Sequence, residues 1–284
     1  MTRSLRHGCS AAGPRASDRR VAGLLLAALI LVAPATGADL FYMDHDPLSK
    51  EYVGPVGPLV LSGDVAPGDY DQLLARIAAD TNRFIAQNKL IVGSDGGDVS
   101  ETVRIANLVK SLDTEVLVGP LTGRCIGTCF LIYAAAARRG TDGSHLIGIH
   151  RPNPAPGSEA QVRGFLAENE IPSYLADEVF AHTEADVYWL SESDEKKLGA
   201  MSPAFERLMT AKCGWNADLE RAVYKSERPM DDLKSVWACR SRLTETAARQ
   251  GLAAALKQRC RDPASAKCHK LCGCTALRSP GDSP

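Results

Sequence analysis

Residues 123–139 read GRCIGTCFLIYAAAARR, with two cysteines four apart bracketing Gly127-Thr128. A run of small apolar residues follows, so a helix is expected over about 127–137. A helix start concentrates positive potential from its free N–H groups, which favours a nucleophile placed there. Cys125 and Cys129 admit three readings: a disulfide, buried free thiols, or a thiol activated by the helix start. Upstream, VGSDGGDV places Gly96-Gly97 just after an apolar run. Glycine there allows unusual backbone angles and close approach of another chain. Its N–H groups could hold an oxyanion, or the pair could be a plain turn. His150 ends the apolar stretch HLIGIH and precedes Arg151-Pro152, which poises it at a loop or cleft. A structural histidine is the plainer alternative. Near the C-terminus, CHKLCGC offers Cys268, His269, Cys272 and Cys274 as zinc ligands. The spacing is not a C-x2-C knuckle, and the C-x-x-C-H haem arrangement is absent. No metal or cofactor is expected.

The elements that must position these residues follow from periodicity. PLVLSG (58–63), KLIVGS (89–94), TEVLVG (114–119) and HLIGIH (145–150) read as short buried strands. Between them lie a helical pattern over 67–88, a helix after Gly96-Gly97 and the helix at 127–137. Alternation of this kind implies parallel strands with crossover helices, an α/β fold. Residues 171–199 look helical and polar. Helical patterning continues over about 203–262, with Trp215, Leu219, Val223, Val236 and Trp237 as its expected core. Residues 39–54 show no clear period.

Composition narrows the function classes. The 284 residues carry a formal net charge of -1. That balance argues against nucleic-acid or membrane-surface binding driven by bulk charge. Five arginines within the first 20 residues precede VAGLLLAALILVAP and then Ala-Thr-Gly-Ala, the pattern of a secretory signal over 1–38. The expected product is a periplasmic or secreted protein with no membrane contact once the signal is removed. Cys9 would leave with it, and eight cysteines remain: Cys125, Cys129, Cys213, Cys239, Cys260, Cys268, Cys272 and Cys274. In an oxidising compartment these favour disulfides, including a staple at 125–129 and a bridged C-terminal unit. Bridges from Cys125 and Cys129 to the C-terminal cysteines are the alternative pairing.

Taken together, the S-x-G-G turn, the paired-cysteine helix start and the strand ending I-H-R-P resemble the ClpP-like serine peptidases of the ClpP/crotonase fold. The likeness spans about 55–200 and is nearest to exported bacterial proteins with a paired-cysteine helix start. It implies a spiral of strand-helix repeats. In that family a serine opens the helix, a histidine follows about two dozen residues later, and the glycine pair lends oxyanion N–H groups. Carried over, the histidine is His150, the glycines are Gly96 and Gly97, and the serine position is Gly127, 23 residues before His150. Glycine has no side-chain oxygen, so the covalent route is closed. Thr128 is the adjacent hydroxyl, but one step along a helix turns a side chain by about 100°. The family's acid precedes an aromatic-Leu-Ser stretch, here Trp189-Leu190-Ser191. That position holds Val187, with Asp186 one residue earlier.

The expected organisation is a signal (1–38), an arm (39–54), a ClpP-like domain (55–202) and a cysteine-rich helical segment with a loose tail (203–284). The expected function is that of a degenerate peptidase relative which binds a peptide or partner protein. The resemblance leaves room for a homo-oligomer. The alternatives are an active peptidase using Thr128, His150 and Asp186, a crotonase-fold enzyme with no covalent step, or an envelope interaction protein acting through 203–274.

Overall fold

The computed structural model describes residues 37–44, 57–119, 122–152 and 158–261. Most of the stretch read as a secretory signal, as far as residue 36, and Cys268, Cys272 and Cys274 with the residues after them, lie outside the described residues.

The main sheet has five strands in the order β1-β2-β3-β4-β6. These are β1 (Asp39–Tyr42), β2 (Leu59–Ser62), β3 (Lys89–Gly93), β4 (Glu115–Val118) and β6 (Arg138–Thr141). From β2 to β6 the pairing is parallel, as the alternation of apolar runs and helical patterns requires. β1 is antiparallel to β2, so four residues of the expected arm form an edge strand. β6, Arg-Arg-Gly-Thr, is the other edge, and its charged residues hid it from an apolar pattern.

HLIGIH contributes its strand to a second sheet instead. There β7 (Ile147–Ile149) lies between β5 (Cys125–Ile126) and β8 (Tyr188–Trp189). β5 and β8 have two residues each, too short to show a period. β8 also interrupts the stretch read as helical over 171–199, which forms α6 (Ser173–Ala181) and α7 (Glu192–Leu198) around it.

The helical pattern over 67–88 is two helices, α1 (Asp69–Ala79) and α2 (Thr81–Gln87). Asp80 divides them: its backbone leaves the helical region and its side chain accepts the Arg83 N–H as a cap. The crossover helix α3 (Val99–Ser111) starts at Asp98, whose carboxylate accepts the Glu101 N–H at 2.7 Å. Helix α4 (Cys129–Ala135) is buried along its whole length. It packs on α3 and, with Leu61, Val92 and Val118 of the sheet, forms the centre of the core.

After α5 (Ser158–Glu168), the last helices are α8 (Pro203–Cys213), α9 (Ala217–Tyr224) and α10 (Met230–Cys260). A disulfide joins Cys213 at the end of α8 to Cys239 on α10. Cys260 is also disulfide-bonded. Val223 and Val236 are buried here, while Trp215, Leu219 and Trp237 are half-buried. The segment does not stand apart: α10 packs on α1 and α3, and its Gly251 lies against the end of α3. No described helix is long and apolar enough to cross a membrane.

Candidate functional site

The site is assembled where the end of β3 meets β5. Ser94 donates its N–H to Arg124 O and accepts the Ile126 N–H, both at 2.8 Å. This brings the glycine turn beside the start of α4. Cys125 and Cys129 are bonded to each other, which rules out bridges from either to the C-terminal cysteines. Cys125 lies on β5 and only Cys129 is helical, so the bridge is not confined to one helix face. It spans Gly127-Thr128, and both cysteines are fully buried.

Gly97 is held by the loop after β2. Val65 donates its N–H to Gly96 O and accepts the Asp98 N–H, both at 2.8 Å. A Cβ on Gly97 would lie 2.1 Å from Val65 O, and its φ is +126°. Only glycine fits there. The Val65 loop is in turn anchored from below. Buried Asp69 accepts the Ala38 and Ala66 N–H groups, and buried Glu101 accepts those of Gly68 and Tyr70.

The two glycine N–H groups have different fates. That of Gly96 donates to Ser94 Oγ at 3.0 Å and is spent. That of Gly97 takes no partner among the described residues, and Gly97 is exposed. The Thr128 N–H is likewise without a partner among the described residues. It lies 3.4 Å from where a Cβ on Gly96 would be. It is one of the free N–H groups expected at the helix start.

Gly127 and His150 meet across parallel strands. The Gly127 N–H donates to Gly148 O at 2.9 Å, and His150 directly follows β7. A Cβ on Gly127 would be 2.6 Å from His150 Nε2 and 3.0 Å from Cε1. The imidazole therefore occupies the volume a side chain at 127 would need. His150 Nδ1 lies 2.9 Å from Arg151 O. A carbonyl only accepts, so Nδ1 is the donor of this contact, and Nε2 is the ring atom that faces Gly127. Arg151 is fixed by its guanidinium on Phe180 O and its N–H on His182 O. His150 is only 9% exposed.

Thr128 is buried, and its hydroxyl faces the other way. It donates to Gly97 O and accepts from Thr102 Oγ1, both at 3.4 Å. It makes no hydrogen bond to His150. Asp186 is not at His150 either. It accepts from His182 Nδ1 at 3.2 Å, while Glu178 accepts from Nε2 at 2.9 Å. Partial burial of His182 opposes its cation, but these two carboxylates prevail and raise its pKa. Val187, next to Asp186, packs under the backbone of Gly148, where a Cβ would come within 2.6 Å of its Cγ1. The arrangement thus has an imidazole whose Nε2 faces a glycine, two free backbone donors, and no hydroxyl or carboxylate hydrogen-bonded to the histidine among the described residues. No group of three His, Cys, Asp or Glu side chains that could hold a metal is found among the described residues.

No protein-family model matches the chain, and no curated protein matches it. Solved structures do. ClpP1 from Listeria monocytogenes is 18% identical with a TM-score of 0.37, covering 51% of this chain and 88% of its own. The 1510-N membrane protease specific for a stomatin homolog from Pyrococcus horikoshii is 14% identical with a TM-score of 0.35, covering 54% and 77%. A putative enoyl-CoA hydratase/isomerase from Bordetella parapertussis is 12% identical with a TM-score of 0.35, covering 80% and 99%.

Proposed function

We propose that this chain is an exported ClpP-like protein that has lost its nucleophile and binds an extended peptide or a partner protein. One observation carries the reading: His150 Nε2 is packed against a glycine, inside the space a nucleophilic side chain would fill. A serine peptidase needs an oxygen between its histidine and its oxyanion donors. Here that oxygen is absent, Thr128 Oγ1 is turned to Gly97 and Thr102, and Asp186 serves His182. What remains suits backbone recognition. The exposed Gly97 N–H is a donor for an added strand. The buried disulfide at 125–129, with Cys213–Cys239, supports an oxidising compartment and hence export.

The test is hydrolysis of a diverse fluorogenic peptide library by the oxidised mature protein, with fluorescence anisotropy of the same labelled peptides in parallel. Saturable binding without hydrolysis is expected, in the wild type and in H150A alike. Hydrolysis that disappears in both H150A and T128A would establish an active peptidase instead. Binding that survives deletion of residues 55–200 would move the function to the C-terminal helices.

A further inference from the structure

Strand β6 carries two adjacent arginines, whose side chains leave it on opposite faces. Arg138 is paired with Glu115 at 3.0 Å. Arg139 stands beside fully buried Val116 of β4, so it points to the core face that α4 covers. It is only 5% exposed. Its Nε, Nη1 and Nη2 are all buried, and none has a hydrogen-bond partner among the described residues. Asp71 and Arg83 also bury an unpartnered atom, but each of those side chains is held in an ion pair. Glu195 of α7 lies along the same face of β6, and it accepts from Thr141 Oγ1 at 2.9 Å instead. The Tyr133 phenol of α4 is the ionisable group beside the guanidinium. Burial lowers the Arg139 pKa to about 10, so the side chain is still charged at neutral pH.

A buried guanidinium with no acceptor strongly disfavours the folded state, and it cannot shed its proton as a carboxyl or imidazole can. Its fork of five N–H groups needs an acceptor that the described residues do not supply. Water would accept those hydrogen bonds and leave the charge uncompensated. One negative charge balances it and makes the stronger, charge-assisted bonds. A divalent anion would leave an excess negative charge buried on the side of Glu195. Burial raises the Tyr133 pKa, so its hydroxyl stays protonated there. The guanidinium nitrogens are closed to solvent, so such an anion is enclosed as the chain folds.

We propose that Arg139 holds a small monovalent anion, chloride or a small carboxylate such as formate or acetate, enclosed between β6, α4 and α7. This site is separate from the peptide-binding site proposed above and does not depend on it. The test is equilibrium urea unfolding of the full mature protein in sodium gluconate, whose anion is too large to be enclosed. Gluconate is replaced stepwise by chloride, formate or acetate at fixed ionic strength. An equilibrium measurement reads the bound anion whatever its route of exchange. For at least one of the three, the unfolding constant of the wild type is expected to fall about tenfold for each tenfold rise in anion above its dissociation constant. R139M, which keeps much of the side-chain volume without the charge, is expected to lose that dependence. R139K keeps the charge without the fork, and is expected to keep a weaker dependence. Wild-type stability indifferent to all three anions would overturn the proposal. So would an equal dependence in R139M, the mark of a general salt effect. The wild-type titration needs no variant, so the proposal can fall on it even where R139M does not fold.

Discussion

At the scale of single residues, the proposed loss of a nucleophile rests on Gly127. Its φ of +59° is left-handed, and any Cβ would strike the imidazole. Gly127→Ser is therefore not a simple restoration. It is expected to cost about 1–3 kcal/mol in backbone strain and displacement of the ring, measured by urea unfolding. It should confer no hydrolysis of the peptide library. Asp113 sets a different expectation, in pH. Its folded-state pKa is raised to about 6 by burial. A carboxyl raised on folding adds stability at low pH, and that contribution is lost as pH rises through the folded value. D113N should therefore flatten the rise in stability between about pH 6 and pH 4, read from melting temperatures across that range. That position 127 would stand opposite His150 was what the resemblance to ClpP-like peptidases implied. That Gly96 N–H is spent on Ser94 while Gly97 N–H is free was not legible in the sequence, because it depends on which side of one turn the Val65 loop covers.

Elements place these residues, and two helices show what holds them. Helix α7 begins with a capping box in which Ser191 and Asp194 exchange hydrogen bonds. Asp194 also accepts from the hydroxyls of Tyr174 and Tyr188, which ties α6 and β8 to the same point. Burial opposes its charge, but the hydrogen bonds from Ser191, Tyr174 and Tyr188 outweigh it and hold its pKa below the usual carboxyl range. Asp194→Ala is expected to lower stability by about 1–3 kcal/mol. That loss is to be followed by denaturant unfolding, with the tyrosine absorbance reporting the freed hydroxyls. Helix α10 meets α3 through Gly251, where a Cβ would be 2.3 Å from Ser111 O. Ala is the better helix former by about 1 kcal/mol, yet Gly251→Ala should still lower the melting temperature, because backbone cannot yield as a flexible side chain would. The strong apolar periods of β2, β3, β4 and α3 were readable in the sequence. β5 and β8 were not, since two residues become a strand only when a partner lies beside them.

At the scale of the whole molecule, the cysteines divide the fold into two regimes. Cys125 and Cys129 are fully buried, whereas Cys213 and Cys239 lie nearer the surface. Mild reduction of the native protein, followed by thiol labelling and mass spectrometry, is expected to open Cys213–Cys239 first and to leave Cys125–Cys129 closed until the chain unfolds. Replacing Cys213 and Cys239 by serine should cost about 2–4 kcal/mol and loosen α8 from α10, without altering the contacts at His150.

The sequence by itself determined the α/β alternation and the crossover helices. It also determined that a glycine would stand 23 residues before a strand-ending histidine. These are local matters, readable from the period of side chains and the spacing along one chain. Only the tertiary structure decided that HLIGIH leaves the main sheet and that Cys125 and Cys129 pair with each other. It also decided that Asp186 attends His182 and that Thr128 turns from His150. Each of these depends on which distant segments meet, and hydrogen bonds, ion pairs and steric exclusion act at a few ångströms whatever the separation in sequence.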